Sequence, residues 1–252
     1  MGADKRIPVK SAADLERMRA ACGLARDTMA HIAPMVRPGT ATIELDRAAA
    51  AFIAGHGGVP AFNGYHGYPA NICVSINEEL IHGIPGQRRI QVGDAVSVDI
   101  GVRADGFIGD LARTFLVGAV PGDVQRLAQT AVGAFEAACA VLKAGCRLGD
   151  LSHAIQEHAE CRGYGVVRDY VGHGVGRLLH EPPQIPNTGA AGKGPTIPAG
   201  ATLAIEPMIT LGDWHIAVRP DQWTVVTADG LPCAHYENTV LVRDGGCEVL
   251  TQ

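Results

Sequence analysis

The chain has 252 residues, 47% hydrophobic and 19% charged, with a formal net charge of −5. That balance gives a globular chain with a sizeable core, and gives no reason to expect nucleic acid as its main partner. No apolar run approaches the roughly 18 residues of a membrane span, and the start, MGADKRIPVK, has no apolar signal-peptide core. The seven cysteines, at 22, 73, 139, 146, 161, 233 and 247, form no C-x-x-C pair. That argues against a disulfide framework and suits a reducing cytoplasm.

The first predicted element is SAADLERMRAACGLARDTMAHIAP. Ser11 and Asp14 form an S-x-x-D capping box, and Leu15, Met18, Cys22, Ala25, Met29 and Ile32 recur at helical spacing. Pro34 and Pro38-Gly39 end the pattern. A second helix is predicted over 42–54, then strands at 71–76, 94–102 and 107–117. The plan then recurs, with helices over 123–142 and 150–162 and strands at 166–171, 201–206, 223–227 and 235–242. A shift of 106 residues lays Arg37-Pro38-Gly39 on Lys143-Ala144-Gly145, Leu45 on Leu151, Ala48 on Ala154 and Gly57 on Gly163. We therefore expect one catalytic domain over 1–252 with two pseudo-symmetric halves, about 11–120 and 121–252. Helices grouped apart from antiparallel strands give an α+β class, with helices on one sheet face and a cleft on the other.

One hairpin carries unexpected charge. In VSVDIGVRADGFIGDLARTF, Val96, Val98, Ile100 and Val102 alternate with Ser97, Asp99 and Gly101. A two-residue loop at Ala104-Asp105 would put Asp99 opposite Asp110; a loop at Asp105-Gly106 would put them one diagonal step apart. Either register leaves two acids on one face, which is unfavourable unless a cation sits between them.

Further along, DYVGHGVGRLLHEPP holds His173 and His180 among glycines, ATLAIEPMI ends an apolar strand on Glu206, and CAHYENTVLV sets Glu237 inside another. Under the repeat, Glu206 falls within one position of Asp99. Asp99, Asp110, Glu206, Glu237 and one histidine make a donor set for borderline divalent ions such as Mn, Fe, Co or Zn. Four carboxylates exceed what one ion needs. They suit two ions about 3.5–4 Å apart and metal-assisted hydrolysis.

These residues resemble those of the bacterial type I methionine aminopeptidases of the pita-bread fold, over nearly the whole chain. The likeness rests on YHGYPANICVSINEELIHGIP, the hairpin, GHGVGRLLHEPP, AIEPM, QWTVVT and HYENTV. It implies that Asp99 chelates one of two ions, that Asp110 and Glu237 bridge them, and that His173 and Glu206 complete the other. It further implies that Glu206 handles the proton of the attacking water, that His180 steadies the oxyanion, and that His82 contacts the scissile amide nitrogen. Tyr65, Tyr68, Cys73 and Trp223 match residues that line the methionine pocket. Leu179, Ile81 and Phe62 depart from the usual family pattern.

The implied activity is removal of an initiator methionine followed by a small, uncharged residue. The implied partners are N-terminal Met peptides and nascent chains, met by a cytoplasmic monomer near the ribosome, with no membrane or nucleic acid involved. The chain's own Met1-Gly2 bond would qualify as a substrate. Three alternatives compete. A prolidase or aminopeptidase P usually carries an extra N-terminal domain, for which no room precedes Ser11. A non-catalytic pita-bread binding protein typically lacks ligands that are all present here. A metal store would leave His82 and His180 without a task.

Overall fold

The computed structural model describes residues 6–252, so the Met1-Gly2 bond lies outside the described residues. The described residues form four α-helices: α1 (Ala12–Ile32), α2 (Thr42–Gly55), α3 (Gly122–Val141) and α4 (Leu148–Glu160). The capping box of α1 is present: the Asp14 N–H donates to Ser11 Oγ at 3.2 Å, and the Ser11 N–H donates to Asp14 Oδ2 at 3.3 Å. The α1 stripe buries Met18, Cys22, Ala25, Met29 and Ile32. α4 starts at Leu148, ahead of the expected 150, because Asp150 caps from the third helical position, its Oδ2 accepting from the Arg147 N–H at 2.8 Å.

The strands of the first half are β1 (Val59–Pro60), β2 (Cys73–Ile76), β3 (Glu79–Ile81), β4 (Ala95–Ala104) and β5 (Phe107–Leu116). The second half supplies β6 (Gly165–Val166), β7 (Val171–Gly174), β8 (Glu181–Pro186), β9 (Thr202–Ile205) and β10 (Met208–Thr210). It continues with β11 (Ile216–Val218), β12 (Val225–Thr227), β13 (Cys233–His235), β14 (Glu237–Arg243) and β15 (Gly246–Val249). The main antiparallel sheet runs β1-β4-β5-β14-β9-β7-β8, with β2 on β4 and β15 on β14. Two three-stranded sheets, β13-β10-β6 and β11-β12-β3, stand beside it. The class is the expected α+β.

The β4–β5 hairpin takes the second of the two registers. Ala104 pairs with Phe107, so Asp105-Gly106 is the loop, with φ of 47° and 77°. Asp99 faces Ala112 and Asp110 faces Gly101, which sets the two acids on one face, one step apart.

Two expected strands are split, each for a tertiary reason. Of 166–171, the start pairs with β10 while Val171–Gly174 joins the main sheet through β9. Of 235–242, His235 pairs with Met208 and Glu237 with Ala112, so the chain changes sheets at Tyr236, whose ring packs on Phe135 at 5.4 Å. Two others start late. The Asn71 and Ile72 N–H groups donate to Asp46 at 2.8 and 3.1 Å, which holds the chain out of the ladder until Cys73. Asp221 likewise accepts from the Trp223 and Thr224 N–H groups, both at 2.9 Å.

The turns before α2 and α4 are built alike. Gly39 and Gly145 have φ of +91° and +88°, and their N–H groups donate to Ile90 O at 2.8 Å and Ile197 O at 2.9 Å. Each half has its own apolar core: α1 and α2 bury Leu45, Ile53, Val96 and Val98, while α3 and α4 bury Leu127, Leu151, Leu203 and Val240. Residues Glu237 and Asn238 of β14, paired with Ala112 and Leu111 of β5, join the two halves in one sheet.

Candidate metal centre

At that join, the inner face of the main sheet lines one cavity. Asp99 comes from β4, Asp110 from β5, His173 from β7, Glu237 from β14, and Glu206 from the residue after β9. Asp110, His173 and Glu237 are buried, and their ligand atoms all lie within 4.8 Å of one another. His173 Nε2 is 3.5 Å from Glu206 Oε1 and 3.9 Å from Asp110 Oδ2. The structure thus brings all five sequence-derived donors to one wall.

Burial dominates the electrostatics of this wall, against smaller opposing pulls from the Arg113 guanidinium on Glu237 and from the backbone at Ile100 and Leu111. Burial raises the pKa of all four acids: Asp110 to about 7, and Asp99, Glu206 and Glu237 well above the ordinary carboxylate range. Their mutual repulsion adds to the shifts of Asp99, Glu206 and Glu237. Two like charges about 4 Å apart repel by about 4 kcal/mol at an effective dielectric near 20. A few such pairs approach the whole stability of a domain, about 5–15 kcal/mol. The only ion pairs at these four carboxylates among the described residues are with His173 and His235. Burial also holds those two imidazoles at about 3, so they are neutral near pH 7. Asp99 Oδ1, Asp110 Oδ1 and Glu237 Oε1 are buried without a hydrogen-bond partner. Oxygen-rich, unneutralised and orphaned, this donor set fits divalent cations.

Two histidines are told apart by their second nitrogens. His173 Nδ1 lies 3.0 Å from Gly174 O. A carbonyl only accepts, so Nδ1 carries the proton and Nε2 turns a lone pair towards the acids. His180, exposed at the cavity mouth, has Nδ1 2.6 Å from the Tyr65 hydroxyl. Burial raises the Tyr65 pKa, so the phenol keeps its proton. With Tyr65 as donor to Nδ1, Nε2–H of His180 is free to donate elsewhere. The His173 and His180 rings meet edge to face at 4.2 Å.

His82 follows β3 with φ of 59°, a left-handed conformation rare for a non-glycine residue. Burial lowers its pKa to about 4, with a smaller push from His180. Tyr68 donates to Gly83 O at 3.0 Å and sets its ring edge-on to Trp223 at 5.1 Å. Cys73 pairs with Asp99 across β2 and β4, so a thiol borders the acids. Tyr65, Tyr68, Cys73, His82 and Trp223 all line the same cavity, of about 700 Å³ including its open mouth.

Sequence reading gave no role to two further histidines. His66 lines the cavity beside Tyr65 at φ of 49°, and no periodicity marks it. His235 is buried, with Nε2 making no hydrogen bond, 3.6 Å from Glu206 Oε2 and 3.9 Å from Glu237 Oε2. Its signal was its position, two residues before Glu237 and thus on the same face of an extended chain. Phe62 and Leu179, read as departures from a pattern, also line the cavity.

Known proteins resemble this chain in sequence and fold. Residues 16–244 match the metallopeptidase family M24. The chain is 45% identical to a methionine aminopeptidase of Clostridium acetobutylicum, over 97% of this chain and 98% of that protein. It is 43% identical to methionine aminopeptidase 1 of Bacillus subtilis, over 98% and 99%. The crystal structure of a methionine aminopeptidase from Thermotoga maritima superposes with a TM-score of 0.96 at 42% identity, covering 98% of this chain and 100% of that one. A prolidase from Pyrococcus furiosus, 22% identical, superposes at 0.80 over 97% of this chain and 65% of its own, and shares the pita-bread fold. The carboxylate-lined cavity, the pita-bread fold and these full-length likenesses agree: the chain belongs to the M24 metallopeptidase family.

Proposed function

We propose that this chain is a methionyl aminopeptidase, removing the N-terminal methionine from proteins and peptides when the second residue is small and uncharged. The observation that carries this reading is the union, in one cavity, of the acid and histidine wall with the apolar walls of Tyr68, Cys73 and Trp223. Full-length relatives that bear the same activity in their names support it.

Asp99 would hold one divalent ion, Asp110 and Glu237 would hold both, and His173 with Glu206 would hold the other. Two such ions, drawn from Co, Mn, Fe and Zn, supply an acidified water and a polarised carbonyl. Tyr65, Tyr68, Cys73 and Trp223 hold the methionine side chain and so fix which bond meets the acids. Glu206 takes the proton of the attacking water and passes it on towards the leaving amine. His180 presents Nε2–H to the developing oxyanion, with Tyr65 fixing that tautomer. His82, held neutral, meets the scissile amide nitrogen.

The whole of 1–252 acts as one catalytic domain, its halves meeting at the acids. Seven free cysteines suit a cytoplasmic enzyme, and no helix is long and apolar enough to cross a membrane. We read it as a monomer that meets nascent chains near the ribosome.

Metal-loaded protein should cleave Met-Gly-Ala-Asp-Lys and leave Met-Lys-Ala-Asp-Lys nearly untouched, and should ignore Gly-Pro. Both pentapeptides fill the methionine pocket identically, so a difference in kcat/KM reports the second position alone. Equal rates would remove the small-residue preference, and cleavage of Gly-Pro alone would move the chain to the prolidase reading.

A further inference from the structure

The turn over 174–181 carries His180, and its inner side is fastened by residues that the reaction does not use. Lys10 lies just before α1, where its N–H donates to Gly200 O at 2.9 Å. Its side chain turns inward, and Nζ meets Glu181 Oε2 at 2.6 Å, with exposures of only 6% and 9% for the two side chains. The other Glu181 oxygen, Oε1, accepts from the Arg177 and Leu178 N–H groups at 2.7 and 3.2 Å. Gly176 closes over the pair: a Cβ there would sit 2.6 Å from both Lys10 Cε and Glu181 Oε1. The buried ammonium and carboxylate thus form one knot with the backbone of 176–178 above them, and His180 is the residue next to it.

A buried ion pair adds little stability over apolar side chains of the same size. What this pair does supply is a fixed place for two backbone amides and for the residue bonded to Glu181. The outer side of the turn is tied separately: Arg177 Nη2 meets Asp14 Oδ1 at 2.8 Å, and the Arg177 guanidinium lies over the Phe107 ring at 4.5 Å. We propose that Lys10 and Glu181 are positioning residues for His180, a strut that holds the turn so that the His180 donor points into the cavity. This rests on the oxyanion role given to His180 above.

The test uses the full chain, with Lys10→Met, the pair Lys10→Met/Glu181→Gln, His180→Ala, and Lys10→Met combined with His180→Ala. The pair leaves no lone buried charge, so it remains informative if Lys10→Met fails to fold. Expected for the folded variants of the strut is a fall in kcat on the order of 10- to 10²-fold, with KM and metal stoichiometry unchanged. Lys10→Met should add no further loss to His180→Ala, since a strut cannot misplace a donor that is gone. In metal-free protein, hydrogen exchange at the Arg177 and Leu178 amides should speed up in the strut variants while α3 amides stay protected. Wild-type kcat in the paired variant, a full multiplicative loss on top of His180→Ala, or unchanged exchange at 177 and 178 each overturns the strut. Wild-type kcat in His180→Ala overturns instead the role of His180, and the inference with it, and that result is read without any strut variant.

Discussion

Asp99 Oδ1, Asp110 Oδ1 and Glu237 Oε1 have no hydrogen-bond donor, yet all lie inside a cavity wall. A carboxylate so placed either keeps its proton or meets a cation. Asp110→Asn and Glu237→Gln keep the shape and remove the charge, so on the proposed two-ion reading each should lower metal stoichiometry and abolish cleavage; elemental analysis after dialysis measures the first. Full stoichiometry with full activity in either variant would sink the two-ion reading. The histidines should separate cleanly. His173→Ala should weaken metal binding in calorimetric titration, because its Nε2 faces the acids. His180→Ala should keep its metal and lose kcat by about 10²–10³, the usual cost of one oxyanion donor. The acids were legible in sequence because they break apolar strands, where an unpaired charge is expensive. His66 was not, since a single polar residue in a loop has no periodicity to violate, and His235 showed only through its spacing from Glu237, across a change of sheet that the sequence does not announce.

Helices were the most legible elements, and the reason is local. Ser11 caps α1 from the residue just before it, and Asp14 and the stripe from Met18 to Ile32 lie within it, so its limits follow from neighbours in sequence. The split strands depended on partners far away: β6 leaves for β10, and β13 gives way to β14 at Tyr236. Nothing within 166–171 or 235–242 announces that the two ends of each segment belong to different sheets. One close contact between elements is equally silent in sequence. At Gly109 on β5 a Cβ would lie 2.5 Å from Cys22 Cα on α1. Backbone cannot move aside as a side chain can, so Gly109→Ala should force α1 away from the sheet. The expected cost is about 1–3 kcal/mol, the range for overpacked sites, read as a lower midpoint in urea unfolding. Because Asp110 is the next residue, metal affinity should fall as well. An unchanged midpoint would mean that α1 packs more loosely than the contact implies.

For the whole molecule, the acid wall makes stability depend on pH and on metal together. Unfolded carboxylates titrate near 4 and unfolded histidines near 6.5. Below about 6.5 the two sets oppose each other. The native acids hold more protons than unfolded ones, while His82, His173 and His235, lowered to about 4, 3 and 3, hold fewer. Above 6.5 the acids make the main difference, with Asp110 at about 7 and Asp99, Glu206 and Glu237 also raised, and towards pH 8 the buried Cys22, Cys73 and Cys233 thiols, raised by burial, add to it in the same direction. There the native state binds more protons than the unfolded one, so stability falls as pH rises. Metal-free protein should therefore lose Tm between pH 6.5 and 8, whereas metal-loaded protein should not. Metal binding in that window should also release protons, seen as a buffer-dependent heat in calorimetry. A flat Tm in the metal-free protein would contradict the burial of the charges.

The β5–β14 pairing carries a consequence for the order in which the chain is made. Asp99 and Asp110 leave the ribosome early, His173 and Glu206 later, and Glu237 after them all. The first half emerges with two acids and no partner donors, so it offers no complete cation cage. Only when β14 docks against β5 do the carboxylates converge. On the proposed site, a growing copy of this enzyme stays silent, and its catalytic competence is a report that its two halves have found each other.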